Sequence, residues 1–260
     1  MPDRRTRGAA GVLGVLGAQG ARGALGRGRE RIGGVLGHRF PTVAVTGMTG
    51  VGKTELVDHL CGRGSETGTP DAGSAVLERR VRRGRRLTGF RFRVVPGDNA
   101  AARLGALDEV FHDDPVDGVL HVVANGHATG RRPAGTSGPA PVTREQQLAA
   151  ELEDWAITSH RIAAMAVRRS RPTWLVVVVT KVDLFADSVE EVVRSYSPGS
   201  GTPFGNRLDD LRALAGGANL SIDVLPACSH LEGDAAVTRR QRDAYLEALQ
   251  ARMAQLAGHV

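Results

Sequence analysis

The sequence predicts an α/β fold in which a mostly parallel sheet of about six strands, with one antiparallel hairpin, carries helices on both faces. Short apolar, β-branched runs alternate along the chain with stretches of helical period. The run Trp174 to Val179 is nearly all apolar, the pattern of a central strand buried on both faces. A glycine-rich loop follows the first such run directly, so the ligands of this sheet are expected at the carboxyl ends of its strands. With 260 residues, 41% of them hydrophobic and 24% charged, the chain suits one core and a tail.

The elements are expected in this order. Thr42 to Thr46 is the first strand, and Glu55 to Cys61 a short helix stopped by Gly62. Ala75 to Arg83 and Leu87 to Val95 alternate apolar and basic residues around Gly84, as a hairpin with one solvated face does. A helix over Ala100 to Phe111 and an apolar strand over Gly118 to Ala124 follow, then a Gly/Pro-rich loop from Asn125 to Val142. Thr143 and Gln146 form a capping box for a long amphipathic helix bearing Leu148, Leu152, Trp155, Ile162 and Met165, which Pro172 closes. Beyond the central strand come helices near Val189 to Tyr196 and Leu208 to Leu214 and a last strand at Ser221 to Leu225. The terminal helix is capped by Thr238 and Gln241, with Leu246, Leu249, Met253 and Leu256 on one face.

Residues 1–40 carry eight Arg against Asp3 and Glu30, a formal +6 that equals the net charge of the whole chain. Glycines recur at every third position from 8 to 26 without an intervening proline, so a collagen-like triple helix has little to stabilise it. Two readings of the 1–39 tail stay open. It is a disordered or conditionally folded segment, or a Gly-faced helix bearing Val12, Leu13, Val15, Leu16 and Leu25 that packs on a partner or on an anionic membrane. Two cysteines, Cys61 and Cys228, make no disulfide framework, and no stretch approaches the roughly 18 to 20 apolar residues of a membrane span. A cytoplasmic location is expected, with a peripheral place at a membrane surface as the tail's contribution.

Three motifs carry the chemistry. Gly47, Met48, Thr49, Gly50, Val51, Gly52, Lys53 and Thr54 match GxxxxGK[ST] between a strand and a helix, the P-loop pattern. Its glycines let backbone N–H groups turn inward on phosphate oxygens, and the helix N-terminus adds partial positive charge. Lys53 would reach the terminal phosphates and the Thr54 hydroxyl would bind Mg2+. Thr180, Lys181 and Asp183 follow the central strand, and Val94 to Asp98 ends the second hairpin strand. Of 34 basic residues only two are lysine, Lys53 and Lys181, so lysine stands only at the two places where a slim charge on a flexible stem would serve a nucleotide.

Thr180-Lys-Val-Asp183 resembles the guanine-specificity motif of the P-loop GTPases, with Thr in place of the usual Asn. The resemblance implies that the Asp183 carboxylate accepts from N1–H and the exocyclic amine of guanine, a pair adenine does not offer, while the Lys181 stem covers the base. Val94-Val-Pro-Gly97 resembles the Asp-x-Pro-Gly switch motif 41 residues after Lys53. Gly97 would give its N–H to the γ-phosphate, but the Asp that holds a Mg2+ water in that family is Val94 here. Asp98 follows where some relatives place a catalytic Gln. Thr69 is the candidate for the switch residue on Mg2+, with Thr67 behind it. Ala227-Cys228-Ser229 resembles the loop that touches guanine through backbone N–H. The whole similarity spans about residues 40 to 258 in the order of a Ras-like or translation-factor-like G domain.

The function expected is a GTP/GDP switch using Mg2+, with slow or partner-dependent hydrolysis and a protein effector or activator. The rivals are a catalytically impaired GTP-dependent binding module and a P-loop ATPase or kinase. Losing the acid at Val94 weakens the case for catalysis more than that for binding. The Arg cluster from Arg79 to Arg86, with the tail, is either a solvated face or a contact for RNA, acidic protein or lipid. His121, within an apolar run, is expected to be a core residue rather than a catalyst.

Overall fold

The structure, a computed structural model, describes residues 40–62, 78–81, 89–97, 100–129, 142–229 and 237–258. The 1–39 tail, the turn at Gly84, Thr67, Thr69 and Asp98 lie outside the described residues.

β1 (Thr42–Thr46) is wholly buried, and its β-branched residues suit a strand covered on both faces. Five strands run parallel in the order β3-β1-β4-β5-β6: β3 is Arg91–Val94, β4 Gly118–Val123, β5 Thr173–Val179 and β6 Leu220–Pro226. β2 (Glu78–Val81) lies antiparallel along the outer edge of β3. β3 is shorter than the alternation suggests, because its parallel partner β1 starts at Thr42 and that residue pairs with Arg91.

The helices divide between the faces. α1 (Lys53–Leu60) and α6 (Arg239–Leu256) cover one, where Val43, Val45, Leu56, Phe92, Val176, Leu249 and Met253 form one core cluster. α2 (Ala100–Asp108), α3 (Arg144–Arg168), α4 (Val189–Ser195) and α5 (Pro203–Ala215) meet the other, around Leu107, Trp155, Ile162, Leu175, Val177 and Leu208. α3 and α6 begin at the expected capping boxes, Thr143 with Gln146 and Thr238 with Gln241, each cap contributing about 1 kcal/mol.

Two helices differ from expectation at their ends. α2 gives way at Glu109 to a π-helical turn that runs to Asp113, and the buried Arg93 pairs with Glu109 and Asp114 across it. A side-chain anchor between β3 and the turn is invisible to periodicity. α5 starts five residues earlier than Leu208, at Pro203, because Pro is pre-organised for the first helical position and the Thr202 hydroxyl accepts from Gly205 N at 3.1 Å. Among the described residues no helix is long and apolar enough to cross a membrane.

Candidate functional site

Every motif described falls at the carboxyl end of the parallel strands. β1 runs straight into the loop Gly47 to Gly52, whose glycines take φ of 128°, 79° and 90° at positions 47, 50 and 52, a region L side chains avoid. Gly52 caps α1, so the loop passes directly into the N-terminus of that helix. Lys53 is buried to 8% exposure and its Nζ donates to the carbonyls of Gly47 at 2.7 Å and Met48 at 2.8 Å. Thr54 is exposed beside it. The Thr49 hydroxyl, buried within the loop, finds no hydrogen-bond partner among the described residues.

Gly97 closes on this loop from β3. A Cβ there would lie 2.7 Å from both Thr49 N and Thr49 Oγ1 and 2.9 Å from Lys53 Nζ, so only glycine admits the approach. Val94, three residues earlier, is 5% exposed and packs in the cluster that holds α1. The position where the switch motif it resembles has Asp is therefore part of the apolar core.

The second motif hangs from β5. Thr180 is buried, and its hydroxyl lies 2.7 Å from Val51 O and 2.9 Å from Val123 O, within donating distance of both carbonyls. It thus ties the end of β5 to the phosphate loop, 129 residues away in sequence. Lys181 takes a left-handed φ of 57°, and its Nζ donates to His127 O at 2.8 Å and Thr129 Oγ1 at 3.2 Å. Asp183 is half-buried on the turn that follows.

Cys228, after β6, meets Asp183 through its side chain: the thiol donates to Asp183 Oδ1 at 3.4 Å. Burial, with the Asp183 carboxylate beside it, pushes the thiol up to about 12, so it stays protonated and able to donate at neutral pH. Ser229 is buried next to it, and its hydroxyl has no hydrogen-bond partner among the described residues.

Several residues here escape motif reading. Ala124 to His127 form a turn closed by His127 N to Ala124 O at 2.9 Å, with Asn125 at φ 51° and Gly126 at φ 74°. Glu151 of α3 accepts from Ala124 N at 2.9 Å and Gly126 N at 3.2 Å, and its other oxygen from the Tyr196 hydroxyl at 2.5 Å. Burial raises the Glu151 carboxyl above its ordinary value, and these three donors oppose that shift. The Asn-Gly pair after a strand and a Glu inside the apolar stripe of α3 are the signals that point to them.

His121 sits below the site as a core residue, 1% exposed, with Nδ1 3.0 Å from Thr46 Oγ1 and its ring edge-on to Trp155 at 4.7 Å. Burial, then the charges of Arg103 and Lys53, lowers it to about 3, so it is neutral at physiological pH.

This strand order, with a glycine-walled loop passing from β1 into α1, defines a P-loop α/β domain. No protein-family model matches the chain, and no curated protein does. Among solved structures it is similar to two substituted variants of SsGBP, at 15% and 16% identity with TM-scores of 0.44 and 0.43. Each alignment covers 94% of this chain and 64% of that one, so the chain spans less than two thirds of those proteins. It is also similar to the G domain of the T. maritima FeoB iron transporter, at 16% identity and a TM-score of 0.41, over 84% of this chain and 99% of that one.

Proposed function

We propose that the chain binds guanine nucleotides, with Mg2+, as a GTP/GDP switch whose hydrolysis is slow until a partner completes the site. The observation that carries this reading is the joining of Thr180, Lys181 and Asp183 to the phosphate loop through the 2.7 Å bond from Thr180 to Val51. A base held at Asp183 and phosphates held at Gly47 to Thr54 would then belong to one nucleotide. Asp183 presents a carboxylate, an acceptor-only group, which suits the two adjacent donors of guanine but meets only the one donor of the adenine edge and leaves its N1 acceptor opposed. The Cys228 thiol occupies one oxygen from behind and orients the group.

For the phosphates, the buried unpartnered hydroxyl of Thr49 and the close-set Gly97 fit a ligand of many acceptor oxygens. Lys53 supplies the positive charge and Gly97 a backbone donor. Mg2+ would be held by Thr54, with Thr69 as the second candidate. Among the described residues there is no cluster of three acidic, His or Cys side chains to cage a metal, and Mg2+ commonly keeps several waters and leans on substrate phosphates. When bound, the ion neutralises charge on the phosphates.

The apolar Val94 favours binding over turnover. Positioning and charge neutralisation supply most of the catalysis in phosphoryl transfer, and this chain lacks an acid at that place. Asp98 remains the candidate for orienting water. The test is displacement of fluorescent GDP by GTP and by ATP, with and without Mg2+, followed in the same sample by phosphate release. GTP displacing at far lower concentration than ATP, with slow release, is expected. Equal displacement by ATP would place the chain among ATPases or kinases.

A further inference from the structure

We infer that Thr129 is a positioning residue of the nucleotide site, fixing Lys181 and the Gly50 peptide of the phosphate loop as one unit; the inference rests on the nucleotide reading above. The 124–129 segment after β4 lies between the two motifs, and its hydrogen bonds account for their spacing. Thr129 N and Thr129 Oγ1 both donate to Gly50 O, each at 3.1 Å. Lys181 Nζ donates to His127 O at 2.8 Å and to Thr129 Oγ1 at 3.2 Å. A hydroxyl has one proton to give and two lone pairs to receive, so Oγ1 serves both bonds at once, from Lys181 and to Gly50.

The phosphate loop is shaped for this contact. A Cβ on Gly50 would stand 1.9 Å from Thr129 O, and its φ of 79° also excludes most side chains. Glycine at that position therefore serves the approach of the segment as well as the turn of the loop.

Backbone strain concentrates in the same contact. Among the described residues, two non-glycines have positive φ, Asn125 at 51° and Lys181 at 57°. They are the anchor of the segment and the side chain it holds. Such conformations persist where surrounding bonds over-determine them. Asn125 is held by Glu151 on the flanking amides of Ala124 and Gly126, and by Arg144 Nε on Asn125 O at 3.1 Å. His127 stacks on Phe185, two residues past Asp183, with ring centres 5.7 Å apart and planes 20° apart. The segment is thus pinned to α3, to the phosphate loop and to the base motif. A shift of Lys181 cannot occur without disturbing Gly50.

Thr129 is exposed, so Thr129→Val removes the hydroxyl while keeping shape and the backbone N–H, and the melting temperature should not change. Fluorescent GDP and fluorescent ADP are the probes, read for dissociation rate in the wild type, Thr129→Val, Thr129→Ser, Lys181→Ala and the double variant. The expected result is dissociation roughly 3- to 10-fold faster in Thr129→Val, the size of one lost polar hydrogen bond, with the wild-type rate in Thr129→Ser. In the Lys181→Ala background the further effect of Thr129→Val should be smaller, because the bond from Lys181 is already gone and only the one to Gly50 O remains to be lost. Wild-type dissociation in Thr129→Val would overturn the inference, as would an undiminished effect without Lys181. If the wild type holds ADP as firmly as GDP, the guanine reading fails, and the same cycle read with ADP still decides the role of Thr129. A chain that holds neither nucleotide removes both.

Discussion

The hydroxyl of Thr180 lies 2.7 Å from the carbonyl of Val51, joining the carboxyl end of β5 to the phosphate loop beneath buried side chains. Thr180 stands where the motif it resembles has Asn, and its hydroxyl makes this tether. A side chain with one proton and a short reach suffices because β5 and β1 are both flanked by β4, which brings their ends together.

Thr180→Val keeps the shape and removes the tether. Val51 O and Val123 O then lose a buried donor, at a cost of about 1 to 2 kcal/mol in stability. Nucleotide affinity should fall several-fold as well, since the two motifs lose their common fixing point. Thermal unfolding and titration with fluorescent GDP read the two effects, and Thr180→Ser should restore both.

Cys228 should matter through its proton. Cys228→Ala removes the donor to Asp183 Oδ1 and should weaken GTP by roughly 3-fold, while Cys228→Ser, which keeps a donor, should stay close to the wild type. ATP binding, which has no use for Asp183, should be indifferent to both changes. Competition assays on the three proteins check this, and equal effects on GTP and ATP would count against a role at the base.

His121 gives the fold an acid sensitivity whose sign can be worked out. Its folded value is lowered to about 3 from 6.5, so between those pH values the unfolded chain binds the proton and the folded chain does not. Stability from this group is complete above pH 6.5 and is lost as pH falls, by up to about 1.4 kcal/mol per pH unit. Glu151 and Asp154, whose carboxyls burial raises, contribute the opposite slope near their own values, so the comparison is between proteins. Urea unfolding at pH 7, 6 and 5 should show a steeper loss in the wild type than in His121→Asn, which can still bond Thr46.

Much of this was legible in the sequence, for reasons tied to particular residues. Thr42 to Thr46 and Trp174 to Val179 are apolar runs that only a doubly covered sheet accommodates, and the boxes at Thr143 and Thr238 mark helix starts by local chemistry alone. Gly47 to Thr54 announces itself because backbone geometry at phosphates demands glycine at fixed spacing. Glu151, Thr129 and Tyr196 did not announce themselves, because their partners, the 124–126 backbone, the Gly50 carbonyl, Lys181 and one another, are distant in sequence and meet only in the folded chain. The donor on Asp183 was similarly hidden, because only the chain after β6 brings the Cys228 thiol to that carboxylate. Arg93 shows the same limit in the fold, since a basic residue in an alternating strand reads as solvated until the π-turn with Glu109 closes over it.

The most direct measurement is nucleotide specificity in Asp183→Asn. The new amide donates where the carboxylate only accepted, so it loses the pair of bonds to guanine and gains one to the 2-carbonyl of xanthine. The account predicts that affinity for GTP falls by about 2 to 3 kcal/mol, on the order of a hundredfold, while affinity for xanthosine triphosphate rises above that of the wild type. Unchanged GTP affinity in Asp183→Asn, in a protein that still loses all nucleotide on Lys53→Ala, would contradict the guanine assignment and leave a P-loop protein of another base specificity.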